Sequence, residues 1–224
     1  KTFSNEVGVG IVFSRTSFDG EQGFPGNLDI EVMYSITDTN TFLIKIKAKT
    51  DKKTYVNLIN HSYYNLKGMK GCNIDDLYLK INSNKLVEID ENNLPTGRIL
   101  NIKNSSYDFT EYKNIGQAIK DNNSNFDTCY YFENSGNIKP IAEVVDNTSG
   151  RGMKVSTNQC GLQLYTPHYE QPFWGKYGTP AFGNGAICLE TQALPDSPNQ
   201  PNFPNTLLLP SQLYESVTIL DSSC

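Results

Sequence analysis

The chain has 224 residues, with 25 Asn, 17 Gly, 11 Pro, 13 Tyr and 11 Phe, and a net charge of −5. That charge excludes a nucleic acid or an anionic membrane surface as a partner held by bulk charge. No apolar run reaches the roughly 20 residues of a membrane-spanning helix, and the aromatic, turn-rich composition favours strands over helical bundles.

Alternation with a period of two is the main local signal. Leu28, Ile30, Val32, Tyr34 and Ile36 alternate with mostly polar residues, and Phe42, Ile44, Ile46 and Ala48 alternate with Lys45, Lys47 and Lys49. The turn Asp38-Thr39-Asn40 joins the two runs, which predicts an antiparallel hairpin with one face in solvent. Further short strands are expected near 54–59, 77–81, 86–89, 141–145, 153–157, 162–166, 186–190 and 216–220, each bounded by Gly, Asn, Asp or Pro. Only Tyr112 to Ile119 reads as helical. Stretches 92–128 and 167–186 and the Pro-rich 195–210 fit no simple hairpin. Irregular stretches longer than about 12–15 residues are uncommon and often functional. No linker or composition break interrupts the chain, so one all-β domain over 1–224 is expected, a sandwich or barrel.

The rarer residue types narrow the chemistry. There are two histidines, His61 and His168. His61 stands in Asn60-His61-Ser62-Tyr63-Tyr64-Asn65-Leu66, a strand end crowded with amides and hydroxyls. It reads either as a polar site or as a hydrogen-bonded turn. Ile187-Cys188-Leu189-Glu190 delivers a carboxylate at the end of an apolar strand. Such a group is costly unless paired or functional, though a glutamate on a polar strand face reads the same way. A His and a Glu together suit acid–base work. No HExxH or CxxC spacing suggests a metal, and there is no GxSxG, P-loop or GxGxxG; Gly8-Val9-Gly10 is an isolated GxG. Aromatics such as Tyr63, Tyr64, Phe173, Trp174 and Tyr177 beside amides and carboxylates suit sugars, and equally fill β cores.

The five cysteines, Cys72, Cys129, Cys160, Cys188 and Cys224, are odd in number and widely spaced. Free thiols in a reducing, cytoplasmic compartment are expected, while sequons at Asn60, Asn104, Asn122 and Asn147 keep a secreted chain open. No signal peptide is expected at the start. Lys1 in place of Met suggests a chain that begins inside a longer product or after a cleavage.

Several segments together resemble the aldose 1-epimerase (galactose mutarotase) family. Asn60-His61-Ser62-Tyr63-Tyr64-Asn65-Leu66 is similar to the family's N-H-S/T-Y-F/W-N-L motif, and Gly23-Phe24-Pro25-Gly26-Asn27-Leu28 to its glycine–proline turn. Ser149-Gly150-Arg151, Gly161-Leu162-Gln163-Leu164-Tyr165-Thr166 and Cys188-Leu189-Glu190-Thr191-Gln192 resemble further motifs, as does the tail Pro195-Asp196-Ser197-Pro198-Asn199-Gln200-Pro201-Asn202-Phe203-Pro204. They run in the family's order over nearly the whole chain.

The resemblance implies a large antiparallel β-sandwich with a sugar cleft on its concave face. It implies Glu190 as the general base that takes the proton of the anomeric hydroxyl, and His61 as the general acid that protonates the ring oxygen. Gln163 matches a substrate-contacting glutamine. Asp127, in Phe126-Asp127-Thr128, matches an aspartate that holds sugar hydroxyls. The implied activity interconverts the α and β anomers of hexoses such as galactose and glucose, with no metal or cofactor. Cys160 stands where the family has proline, and His168 matches no catalytic residue and reads as a solvent-exposed loop histidine. The chain resembles the C-terminal two-thirds of the family's members. An N-terminal part that supplies strands, an Asn-Arg pair and a second histidine is then expected to be missing. Two consequences are expected: a second chain or N-terminal segment that completes the fold, and self-pairing of exposed edges without it. A non-catalytic, sugar-binding descendant is the alternative reading. A hexose-phosphate epimerase ranks lower, because only Arg15, Arg98 and Arg151 could serve a phosphate.

Overall fold

The computed structural model describes all residues except 6, 7, 69–72, 134, 135, 169–172, 176, 177, 179, 182 and 224. Cys72, Tyr177 and Cys224 therefore lie outside the described residues. In chain order the strands are β1 (Thr2–Asn5), β2 (Gly8–Ser17), β3 (Leu28–Ile36), β4 (Thr41–Thr50), β5 (Thr54–Tyr55), β6 (Tyr78–Ile81), β7 (Lys85–Ile89), β8 (Pro95–Asn101) and β9 (Lys113–Asn114). Helix α1 (Ile115–Asn122) follows, then β10 (Asp127–Tyr131), β11 (Lys139–Val145), β12 (Gly152–Thr157), β13 (Gly161–Tyr165) and β14 (Phe173–Trp174). The remainder are β15 (Pro180–Ala181), β16 (Cys188–Gln192), β17 (Leu207–Leu208) and β18 (Tyr214–Ser223).

Among the described residues two sheets dominate. A nine-stranded sheet runs β1-β2-β3-β4-β18-β12-β11-β6-β9, and a five-stranded sheet runs β16-β13-β10-β7-β8. Both are antiparallel throughout. The expected antiparallel sandwich is therefore present. The hairpin β3–β4 stands as its alternation predicts, in register from Leu28–Thr50 to Ile36–Phe42. Its lysines face solvent, where Lys45 and Lys47 meet Glu215 of β18.

The two sheets face each other across one apolar layer. Leu79, Ile81, Val144 and Val155 come from the large sheet, and Leu86, Tyr130, Leu162, Leu164 and Leu189 from the small one; all are buried. Each fully buried Leu or Ile contributes about 1.5–3 kcal/mol. Some polar groups in the layer are paired, while the buried Thr128 hydroxyl has no hydrogen-bond partner among the described residues. The Tyr130 hydroxyl donates to the Tyr107 carbonyl at 2.8 Å, and the buried Thr191 and Thr218 hydroxyls bond across the sheets at 2.5 Å. Phe109, Phe126, Ile115 and Ala118 close the layer.

Several elements differ from expectation. The strand expected near 54–59 is only β5, Thr54–Tyr55, so His61 stands on an irregular segment rather than at a strand end, and β1 is unexpected. Strand β2 was hidden by Gly8 and Gly10, which dilute its apolar pattern. A Cβ on Gly10 would come within 2.3 Å of the Tyr34 carbonyl and 2.5 Å of the Phe3 ring, so close strand approach requires the glycine. The 92–128 stretch is not irregular: it holds β8, β9, α1 and the start of β10, the central strand of the small sheet. The helix begins at Ile115 rather than Tyr112 because the Asn114 side chain caps it, accepting from the Gln117 amide at 2.8 Å, while Lys113 and Asn114 pair with β6.

Along β2 and β3 the inner face of the large sheet runs past the small one. Val9, Phe13 and Ile36, whose registers put them on one face, are each more than half exposed.

Candidate active site

The five-stranded sheet has an apolar face turned to the core and a polar face turned to a cavity of about 340 Å³. Alternation decides which side chains go where. In β16, Leu189 and Thr191 point into the sandwich, so Cys188, Glu190 and Gln192 share the opposite face. In β13 the core takes Leu162 and Leu164, which leaves Gln163 and Tyr165 beside them. In β10 the core takes Tyr130, which leaves Asp127 and Cys129. Register then aligns the set: Glu190 is opposite Gln163, and Gln163 is opposite Cys129.

His61 reaches the same cavity from a non-strand segment. Tyr64 and Ile187 exchange backbone hydrogen bonds at 2.9 Å each way, an isolated bridge that lays residues 60–66 beside β16. Further anchors hold the segment. Asn60 donates to the Tyr34 hydroxyl at 3.0 Å, Asn65 donates to the Gly185 carbonyl at 2.9 Å, and Arg151 donates to the Leu66 carbonyl at 2.8 Å. The Ser149-Gly150-Arg151 turn therefore serves the site by holding the histidine segment. His61 Nε2 lies 3.3 Å from Glu190 Oε1. Its ring stacks on Tyr63 at 5.0 Å between centroids and meets the edge of Tyr165 at 5.7 Å.

The two partners differ sharply in exposure: the His61 side chain is 45% exposed and that of Glu190 5%. Burial lifts the Glu190 pKa above its ordinary value; the neighbouring His61 opposes the rise and the Asp127 charge adds to it. A carboxylate with a raised pKa beside an imidazole is a poised acid–base pair. Beyond it, Gln163 Nε2 donates to Asp127 Oδ1 at 2.6 Å, and Gln192 Nε2 stands 3.4 Å from Gln163 Oε1. This row of amides and a carboxylate presents fixed donors and acceptors to a polyhydroxylated ligand.

The far wall is Val87, Ile89, Asn93 and Pro95, from the β7–β8 hairpin. The Pro-rich tail shapes it. Gln200 donates to the Pro95 carbonyl at 3.0 Å and Asn202 to the Gly97 carbonyl. Gly97 sits at φ +85°, which favours glycine, and a Cβ there would fall 2.4 Å from Gln200 Oε1, so the side chain that holds the Pro95 carbonyl would have to shift.

All four site residues expected from the sequence, His61, Asp127, Gln163 and Glu190, line this one cavity. Tyr165, Gln192, Asn93 and Pro95 line it as well. Tyr165 and Gln192 stand inside recognised segments, and alternation from Gln163 and Glu190 would have found them. His168 is exposed and outside the cavity, and Trp174 is 77% exposed. None of Arg15, Arg98 and Arg151 lines it. Arg15 and Arg98 pair with Glu21 and Glu88 instead.

A family model described as aldose 1-epimerase matches residues 2–221. Galactose mutarotase from Bos taurus is 36% identical over 211 residues, covering 93% of this chain and 61% of the bovine protein; the Homo sapiens protein gives the same figures. Aldose 1-epimerase from Escherichia coli K12 is 32% identical over 222 residues, covering 93% and 62%. The chain thus spans about 61% of the length of the mammalian relatives it matches. Among solved structures, an aldose epimerase homologue from C. elegans superposes with a TM-score of 0.87 at 23% identity, covering all of this chain and 68% of that one. A galactose 1-epimerase from Lactobacillus acidophilus gives 0.83 at 24% identity, covering 100% and 65%. At these identities the superpositions speak for the fold.

Proposed function

The chain belongs to the aldose 1-epimerase family, and from that premise we propose that it interconverts the α and β anomers of a hexose such as galactose or glucose. The observation that carries the reading is the buried Glu190 carboxylate facing His61 Nε2 at 3.3 Å on the floor of a polar cavity. The hemiacetal has two oxygens on one carbon, and the pair has one group for each. Glu190 takes the proton of the anomeric hydroxyl as His61 gives one to the ring oxygen. The ring C–O bond breaks and leaves an aldehyde. Rotation about C1–C2 presents the other carbonyl face. Closure then returns both protons to their starting groups, so the cycle needs no net proton, electron or cofactor. A positioned acid or base typically contributes about 10²–10⁴-fold.

The surrounding groups suit a sugar. Asp127, already accepting from Gln163, has lone pairs free for hydroxyls, and Gln192 extends the row. The Tyr165 ring lines the cavity beside the histidine and suits C–H stacking with a sugar. The free thiols of Cys129, Cys160 and Cys188 suit a reducing, cytoplasmic setting. The apolar strip of Val9, Phe13 and Ile36 suits a further polypeptide, a second chain or another segment, laid over β2 and β3.

The test is optical rotation of freshly dissolved α-galactose and α-glucose. Decay to the equilibrium rotation faster than in buffer, in proportion to protein concentration, supports the reading. Decay at the buffer rate for both sugars overturns it.

A further inference from the structure

Beneath the cavity, on the face of β16 that carries Glu190, lies one more chemical group than acid–base catalysis uses, the buried Cys188 thiol. Cys188 precedes Glu190 by two residues on β16, so its thiol shares that face of the strand with the carboxylate. Among the described residues, one ligand atom each from His61, Cys188 and Glu190 all lie within 4.8 Å of one another. We propose that His61, Cys188 and Glu190 bind a single thiophilic divalent cation such as zinc, and that the bound ion silences the acid–base pair.

The geometry fits a tetrahedral ion. Two N or O ligands at 2.0–2.1 Å from zinc and subtending a tetrahedral angle stand about 3.3 Å apart. The His61 Nε2 to Glu190 Oε1 distance is 3.3 Å. A sulfur at about 2.3 Å from the same ion lies roughly 3.5 Å from each of the other two ligand atoms. The triad reaches that arrangement by closing at most about 1.3 Å, through rotation of the half-exposed imidazole about its side-chain bonds. Three protein ligands leave the fourth position open toward the cavity, for water or a sugar hydroxyl. The donor set also selects the ion. A thiolate with an imidazole prefers zinc, cadmium or cobalt, while magnesium and calcium require oxygen ligands.

A divalent cation would also give the buried Glu190 carboxylate a counter-ion beside His61. The thiol binds as the thiolate, so one proton leaves for each ion bound. Occupancy removes the Glu190 lone pair and the His61 nitrogen from proton transfer together.

The inference uses the same side chains as the proposed sugar conversion but is read on the resting chain, so the two can fail separately. The experiment titrates the chain with cobalt(II) and then displaces cobalt with zinc, with magnesium as the control. One cobalt per chain is expected, with a thiolate-to-cobalt charge-transfer band that zinc abolishes and magnesium leaves. The band should vanish in Cys188→Ala, and zinc affinity should fall about tenfold or more in His61→Gln, whose half-exposed position makes it the safer variant for folding. Proton release on zinc binding, measured in weakly buffered solution, should approach one per chain. Binding without sugar turnover supports this site while removing the reading above. Cobalt binding without the band, a band that persists in folded Cys188→Ala, or zinc affinity unchanged in His61→Gln overturns the proposal. Where the chain anomerises sugars, zinc should lower the rate about tenfold or more, and a chelator should restore it.

Discussion

Replacing Glu190 by glutamine separates two consequences of burying a carboxylate. Glu190 is 4% exposed, and burial raises its pKa in spite of His61. The folded chain therefore binds this proton more readily than the unfolded chain does. The stabilising contribution of the protonated form is complete below the unfolded value, about 4.3, and is lost as pH rises through the higher folded value. At neutral pH the loss amounts to about 1.4 kcal/mol for each unit of elevation. Glutamine keeps the shape and an oxygen but never ionises. Glu190→Gln should therefore be at least as stable as the parent at pH 7, with the difference shrinking toward pH 4. The same change removes the proposed base. An activity loss of about 10²–10⁴-fold is expected, equal to roughly 2.7–5.4 kcal/mol of transition-state stabilisation at about 1.36 kcal/mol per decade. Urea denaturation across pH 4–7 reads the first effect, and polarimetry on galactose reads the second. A variant less stable by more than about 1 kcal/mol at unchanged m, or one that keeps more than about a tenth of the parent rate, would refute the reasoning.

Three further changes probe separate links. Asp127→Asn should raise KM for the sugar about 10–100-fold, the worth of a hydrogen bond to a charged group, and leave kcat nearly unchanged; a steady-state rate series against galactose checks the split. Thr191→Val leaves the buried Thr218 hydroxyl unpaired and should cost about 1–3 kcal/mol. The double variant with Thr218→Val should return most of that loss, as read from urea midpoints. Gly97→Ala places a Cβ against Gln200 at a positive φ. It should destabilise by more than about 1 kcal/mol and, by shifting the Pro95 rim, raise KM.

How much of this was legible before folding depends on the kind of signal. The β3–β4 hairpin was plain because Lys45, Lys47 and Lys49 mark its solvent face against Ile44, Ile46 and Ala48. Strand β10 was not, because both its faces are occupied: Tyr130 enters the core while Cys129 is buried under Gln192 and Leu194. Alternation between apolar and polar residues cannot announce such a strand. The candidate site was legible as separate motifs, because His61, Gln163 and Glu190 each stand in a distinctive segment. Their convergence was not, since it depends on pairing Gln163 with Glu190 across β13 and β16 and on the Tyr64–Ile187 bridge. The roles of Arg151 and Gln200 as supports for the histidine segment and the Pro95 rim also come from long-range contacts. No local pattern carries those contacts.

The pairing of His61 with Glu190 as acid and base is tested most directly by magnetisation transfer between the two anomeric protons of galactose at equilibrium. Exchange faster than in buffer is predicted for the parent chain, falling by about 10²–10⁴-fold in both His61→Asn and Glu190→Gln. Parent-level exchange in either folded variant would contradict the account.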